Sequence, residues 1–133
     1  MENAVSRVEF TDGRFAQISG FTMEFDPDLL PQLLDDNGNV TQEGQRVLSV
    51  KLADDTFIVE DGDVVGSAPS VNIAIVDFLA RGGDQYPFRD APFISLGVSY
   101  QQALRNYIQD GLGGDITDID YPEDGEDRIT ELP

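Results

Sequence analysis

Three stretches of the chain alternate hydrophobic and polar residues, which is the pattern of strands with one buried face. They lie at 21–26, 48–52 and 56–60. The last two are separated by Asp54-Asp55, which is turn chemistry, so we expect them to pair as a hairpin. Near the C-terminus Arg128-Ile129 indicates a short closing strand.

Two stretches have helical spacing. Apolar residues at 1, 4, 5 and 8 predict a helix over 1–8, ended by Asp12-Gly13. A second helix is predicted over 99–109, opened by a Ser99-x-x-Gln102 capping box and closed by Gly111. Its apolar stripe consists of Tyr100, Ala103, Leu104, Tyr107 and Ile108.

The run 71–79 is apolar on both faces, which predicts a central strand covered on two sides. Between the strand patterns, the stretch 28–44 carries Asp35-Asp-Asn-Gly-Asn39 and is expected to be a surface excursion. Helices and strands in this mixed order predict an α+β fold with a mixed β-sheet and packed helices. At 133 residues, one domain over 1–133 is the expectation.

The apolar run ends in a glycine pair followed by a carboxylate, which suits a small-molecule site. Phe78 could stack on a flat ring, and Asp84 could accept hydrogen bonds from a vicinal diol. Gly82 and Gly83 would let the backbone turn and a ligand come close. Asp77 is a weaker candidate, since capping the loop suits it equally. A core ring for Phe78 and a solvated turn acid for Asp84 remain open as alternatives.

The same residues carry a resemblance to a known family. The matching positions are Asp77, Phe78, Leu79, Ala80, Gly82, Gly83, Asp84 and Tyr86. In this order they resemble the pattern Asn-Asp-(Tyr/Phe)-Leu-Ala-x-Gly-Gly-Asp-Gly-(Tyr/Phe) of the C-terminal, substrate-recognising domain of secreted 5'-nucleotidases. Val76 and Gln85 depart from that pattern. Further similar segments are 2–6, 13–20, 45–50 and 125–129.

The resemblance implies a role as well as a fold. The chain would be the second half of a C-terminal domain of the 5'-nucleotidase, 2',3'-cyclic phosphodiesterase and UDP-sugar hydrolase type, truncated at its N-terminus. Phe78 would be one plate of an aromatic clamp whose other plate precedes Met1, and Asp84 would hold the ribose hydroxyls. Catalysis would belong to an N-terminal metallophosphoesterase domain carrying two divalent metal ions. The chain alone would have no catalytic residue and no cofactor, and the parent hydrolase would be periplasmic or extracellular.

Composition narrows the chemistry further. The chain has no histidine and no cysteine, which excludes histidine general bases, histidine metal ligands, Ser-His-Asp triads and disulfides built from it. Its net charge of -18 disfavours nucleic-acid polymers and anionic membrane surfaces as partners. No apolar run approaches a membrane span, and the N-terminus lacks the pattern of a signal peptide. The ligand suggested by Phe78 and Asp84, and implied by the family resemblance, is a nucleotide or nucleoside.

Acidic residues are dense at 110–127, which we expect to be loop-like. Weak divalent-ion binding and plain solvated charge both remain open for this stretch. Asp35, Asn37 and Asn39 have the first spacings of an EF-hand loop, but Val40 and Arg46 stand where that loop requires Gly and Glu. An EF-hand is therefore excluded.

Two further expectations compete with or add to the nucleotide role. The alternative function is an acidic extracellular binding or adhesion module that retains the fold without nucleotide hydrolysis, and Val76 and Gln85 favour it. Separately, a sheet edge left exposed would recruit another copy of the chain, so self-association at high concentration is expected.

Overall fold

The centre of the fold is a five-stranded mixed sheet, and the chain has the α+β architecture predicted from its sequence. The computed structural model describes residues 1–122, 125 and 127–133. The strands of the main sheet are β1 (Phe21–Phe25), β4 (Val47–Leu52), β5 (Phe57–Glu60), β6 (Asp63–Val64) and β7 (Ile129–Glu131), in the order β6-β5-β4-β1-β7. A separate hairpin is formed by β2 (Leu33–Leu34) and β3 (Val40–Gln42).

The helices are short. They are α1 (Glu2–Val5), α2 (Asp77–Ala80) and α3 (Tyr100–Asn106), with 3-10 turns at Val8–Phe10 and Gly83–Gln85 and a π-helical turn at Tyr107–Gly111. The N-terminal helix is thus present but ends earlier than the predicted 1–8. Among the described residues, no helix has the length and apolar character needed to cross a bilayer.

Strand β1 is the middle of the hydrophobic core. Met23 pairs with Val50 of the antiparallel β4 on one side and with Ile129 of the parallel β7 on the other. The predicted alternation is confirmed here, since Met23 and Phe25 are buried while Thr22 is exposed. The predicted hairpin of β4 and β5 and the closing strand β7 are also confirmed.

The core itself is small. Its buried members are Val5, Met23, Phe25, Val47 and Val50. On β4 the buried positions are therefore 47 and 50, and not the alternating 48, 50 and 52 that the sequence predicts. The pairing register shifts between β1 and β4 and again between β4 and β5, and such irregularities break the two-residue period.

The predicted central strand over 71–79 is wrong. Residues 71–76 have no regular secondary structure and are exposed, and α2 begins at Asp77. The main sheet is made of β6, β5, β4, β1 and β7, with β4 at its centre, so 71–76 takes no place in it. An apolar run of this length predicts burial but does not say against what, and the described residues do not cover it.

Helix α3 begins as predicted. The Ser99 hydroxyl accepts a hydrogen bond from the Gln102 backbone amide at 3.1 Å, which is the N-cap half of a capping box. The Gln102 side chain donates to Asn106 and so points along the helix. Every residue of α3 is exposed, so its predicted apolar stripe packs on no core. Beyond Gly111, the described residues up to 127 form turns and contain neither helix nor strand; of the predicted acidic stretch, Glu123, Asp124 and Glu126 lie outside the described residues.

Candidate functional site

Phe78 lies against the diglycine that follows α2. A Cβ atom added to Gly83 would stand 2.5 Å from the Phe78 ring carbons Cε1 and Cζ, so only glycine allows this approach. The ring is in the first turn of α2, and the residue is 56% exposed. The structure therefore brings Phe78 and Gly83 together at the surface and leaves the ring accessible to a ligand.

Asp84 stands at the top of a tight turn. Gly82 has φ 84°, and the next left-handed residues, Asp84 and Gln85, have φ 48° and 58°. Two consecutive non-glycine residues in this region are energetically unfavourable and persist only where surrounding contacts hold them. The Asp84 residue is exposed, and its carboxylate is free of any described salt bridge. The turn therefore presents an acid beside the Phe78–Gly83 contact.

The turn is held from one side by Asn3 of α1. Its side-chain amide Nδ2 donates to the Asp84 carbonyl at 3.0 Å, and Asn3 is only 4% exposed. Its Oδ1 atom is buried and finds no hydrogen-bond partner among the described residues. Asn3 thus fixes the backbone of Asp84 from within the body of the protein.

Arg14 holds the turn from a second side. It donates from Nη1 to the Gln85 side-chain oxygen at 3.2 Å, and its own carbonyl accepts the Tyr86 hydroxyl at 2.7 Å. Burial, together with the nearby Asp84 charge, raises the pKa of Tyr86, which keeps this hydroxyl protonated as a donor. Tyr86 in turn stacks on Phe88, with ring centroids 6.1 Å apart. These contacts make the turn rigid in the left-handed conformation.

The remaining predicted residue, Asp77, is exposed at the start of α2. The N-cap residue of that helix is Val76, which has no side chain able to cap, and the Asp77 carbonyl accepts from the Arg81 amide at 3.0 Å. No side-chain hydrogen bond caps this helix, and contact of the Asp77 side chain with a ligand stays a prediction.

The loop at 35–39 also contacts the candidate site. The Gln85 side-chain amide donates to the Asp35 carbonyl at 3.3 Å, and Arg89 donates to the Asn37 carbonyl at 2.8 Å. Arg89 also packs over Gly82. A Cβ atom added to Gly82 would lie 2.9 Å from the Cβ atom of Arg89. The 35–39 turn, which resembles the start of an EF-hand in sequence, therefore serves as a support for the diglycine turn.

The Asp35 carboxylate is engaged inside its own loop. It accepts hydrogen bonds from the Asn37 and Asn39 amides at 2.8 Å and from the Asn39 side chain at 2.9 Å. These bonds, the Asn39 side-chain bond first, lower the pKa of Asp35. Within the described part of the chain, no group of acids is placed to hold a metal ion.

This lowered pKa predicts an acid-sensitive loop. The support that ionised Asp35 gives the turn is complete above pH 3.8, the ordinary pKa of the group, and is lost as the pH falls through the lower folded-state value. In an NMR acid titration we expect the Asn37 and Asn39 amides and the Gln85 side chain to shift together with a midpoint below 3.8. Asp36→Asn should leave that transition intact and Asp35→Asn should remove it. A shared midpoint above 3.8 would contradict the assignment.

A cleft of about 780 Å³ lies elsewhere, between the segment 8–18 and the C-terminal residues 121, 122, 125 and 127–131. Phe15, Ile18 and Phe25 form part of its wall, and none of its lining residues belongs to 77–86. The cleft therefore contains none of the residues at which the sequence predicts a nucleoside site. We therefore place the candidate site at the diglycine turn.

Comparison with known proteins gives no information on this site. No family model, no curated protein and no solved structure matches the chain.

Proposed function

We propose that the chain is the nucleoside-recognising part of a metal-dependent, 5'-nucleotidase-like phosphoester hydrolase. The observation that carries the proposal is the accessible Phe78 ring lying on Gly83, next to Asp84 in an anchored turn. The two metal ions and the catalytic residues would lie on an N-terminal metallophosphoesterase domain, which is the proposed partner. A periplasmic or extracellular location belongs to the same proposal and rests on the family resemblance.

Phe78 supplies the stacking surface for the base. Stacking of a base on an aromatic side chain contributes roughly 1 to 3 kcal/mol and tolerates any base. The ring lies directly against Gly83, where there is no side chain to displace it. The ring is thus available at little cost in conformational entropy.

Asp84 supplies the acceptor for the sugar. A ribose presents two adjacent hydroxyl donors, and a carboxylate has two oxygens that can accept them. Hydrogen bonds to a charged group contribute about 1.5 to 3 kcal/mol each. The anchoring of the turn by Asn3 and Arg14 places this acceptor before the ligand arrives, which is the condition under which such bonds give affinity.

The acidic surface defines which part of the ligand the chain binds. A net charge of -18 repels a phosphate, so the phosphate must project away toward cations on another domain. For the chain by itself we therefore expect adenosine to bind at least as tightly as adenosine monophosphate. The phosphate would add affinity only where the metal-bearing domain is present.

The test is a titration of the isotopically labelled chain with adenosine, followed by NMR. Phe78→Ala should weaken binding by about tenfold or more, the loss of one stacking contact. Asp84→Asn should cost about tenfold, and 2',3'-dideoxyadenosine should bind about as weakly to the unmodified chain. The Asp84→Asn variant should no longer discriminate between the two nucleosides.

Asp61→Asn is the matched control. Asp61 is also an exposed, left-handed aspartate, with φ 52°, but lies in the turn between β5 and β6. It should leave both affinities unchanged. Equal binding by the wild type, Phe78→Ala and Asp84→Asn, or no binding by any of them, would reject the nucleoside role and favour the acidic adhesion module.

A further inference from the structure

The charge of the chain is unevenly distributed. Residues 64–109, which we name the neutral segment, contain three arginines and three aspartates, so their net charge is zero. The entire net charge of -18 therefore comes from 1–63 and 110–133. A segment without net charge in so acidic a protein approaches the composition of an interface core, which is depleted of charged residues.

The neutral segment also exposes large hydrophobic side chains. Examples at its surface are Ile73, Phe93, Ile94, Leu96, Leu104 and Tyr107. Leu104 of α3 and Tyr107 of the π-helical turn that follows it belong to the apolar stripe predicted for 99–109, which has the spacing of a helix that packs on a partner. Several large apolar side chains exposed within one charge-poor segment are the composition expected of an interaction site.

The total surface of the molecule supports the same conclusion. The chain exposes 9822 Å², whereas a compact monomer of 14.6 kDa exposes roughly 6,900 Å². The excess is roughly 2,900 Å², and a standard interface buries about 800 Å² on each partner. One chain therefore has more than enough uncovered surface for a stable, extensive interface.

The sheet edges are poor candidates for that contact. The edge strands β6 and β7 are two and three residues long. Short edge strands offer few free backbone groups and are a common protection against edge pairing. Association through a sheet edge, which the sequence suggested, is therefore a weaker explanation than association through the neutral segment.

We propose that two copies of the chain pack together through their neutral segments as a two-fold symmetric dimer. In such a dimer the same patch meets itself, so it must be complementary to its own chemistry. Equal numbers of arginine and aspartate on an apolar surface satisfy that condition. The arrangement also keeps the acidic parts of both copies directed outward, where water and counter-ions screen them. This proposal does not rest on the nucleoside site.

The two copies still repel each other at long range, which gives the dimer a diagnostic salt dependence. Each copy carries -18, and the screening length falls from about 10 Å at 0.1 M salt to about 3 Å at 1 M. Self-association should therefore tighten as salt rises. Docking of a basic partner on the acidic surface would instead weaken with salt.

The experiment is analytical ultracentrifugation of the full chain from micromolar to millimolar concentration at 0.1 and 1 M NaCl. Ile94→Glu and Leu104→Glu should each raise the dimer dissociation constant by more than tenfold. Ile119→Glu is the matched control: both isoleucines are highly exposed, at 86% and 93%, but Ile119 lies outside the neutral segment. It should change the constant by less than twofold.

Each outcome decides the proposal. A dimer that tightens with salt and is lost in Ile94→Glu and Leu104→Glu but not in Ile119→Glu supports it. A monomer at millimolar concentration in 1 M salt overturns it and leaves a different protein surface as the occupant. A dimer that loosens with salt, or that responds equally to all three changes, also overturns it. Far-UV circular dichroism verifies that each variant is folded.

Discussion

Replacing Arg46 with methionine should lower the free energy of unfolding by about 2 to 4 kcal/mol, the cost of one buried and one partly buried carbonyl left without their donor plus lost packing. Arg46 is 3% exposed. Its guanidinium donates to the Val5 carbonyl at 2.8 Å and to the Leu29 carbonyl at 3.0 Å, and it forms a salt bridge with Glu9. The Glu9 side chain is nearly half exposed, so the salt bridge itself contributes little.

Urea unfolding of Arg46→Met, Arg46→Lys and Arg7→Met provides the measurement. Lysine is a single point charge and cannot reach all three acceptors, so it should recover only part of the loss. Arg7 forms an exposed ion pair with Asp12 at 3.7 Å, and its replacement should cost less than about 1 kcal/mol. A loss below about 1 kcal/mol in Arg46→Met would show that water replaces the missing donors.

The same arginine links the core to the candidate site. The Glu2 carboxylate of α1 accepts from the backbone amides of Arg46 and Val47 at 3.3 and 2.8 Å. Gly44 gives this carboxylate room, because an added Cβ would lie 2.1 Å from Glu2 Oε2 and the Glu2 side chain would have to move. The next residue of α1 is Asn3, whose amide holds Asp84. A displacement of the backbone at Arg46 would therefore be passed through Glu2 and Asn3 of α1 to the diglycine turn.

Local patterns predicted those elements whose partners are near in sequence. The alternation in β1, the turn between β4 and β5 and the Ser99 cap all depend on contacts within a few residues or on one buried face. The run 71–79 failed because being apolar on both faces indicates burial, but not the partner that provides it. In the described residues that partner is absent, so the run is exposed.

The candidate site divides in the same way. Phe78, Gly83 and Asp84 are close in sequence, so their pattern can be recognised without a structure. Asn3 and Arg14 were missed as site residues because their contacts span 81 and 71 positions along the chain. The available signal was that their segments, 2–6 and 13–20, carry the same family resemblance as the turn they hold.

Truncating Met23 to alanine should lower the free energy of unfolding by about 2 to 5 kcal/mol. Met23 is essentially inaccessible and pairs with both β4 and β7, so its removal leaves a cavity that the sheet cannot close by moving one neighbour. The buried core cluster has few members, and each carries a large share of the stability. Met23→Leu, which keeps the volume, should cost less than about 1.5 kcal/mol.

Hydrogen exchange shows whether this loss is confined to the sheet. In the monomer α3 has no buried residue, so its amides should exchange quickly with or without Met23. The amides of β1 and β4 should lose protection in Met23→Ala by the factor that the unfolding measurement gives. If the amides of α3 are protected in the monomer and lose that protection together with β1 in Met23→Ala, the helix belongs to the same cooperative unit. Because an exposed helix cannot gain stability from a core that it does not touch, protection of α3 should arise only in the dimer.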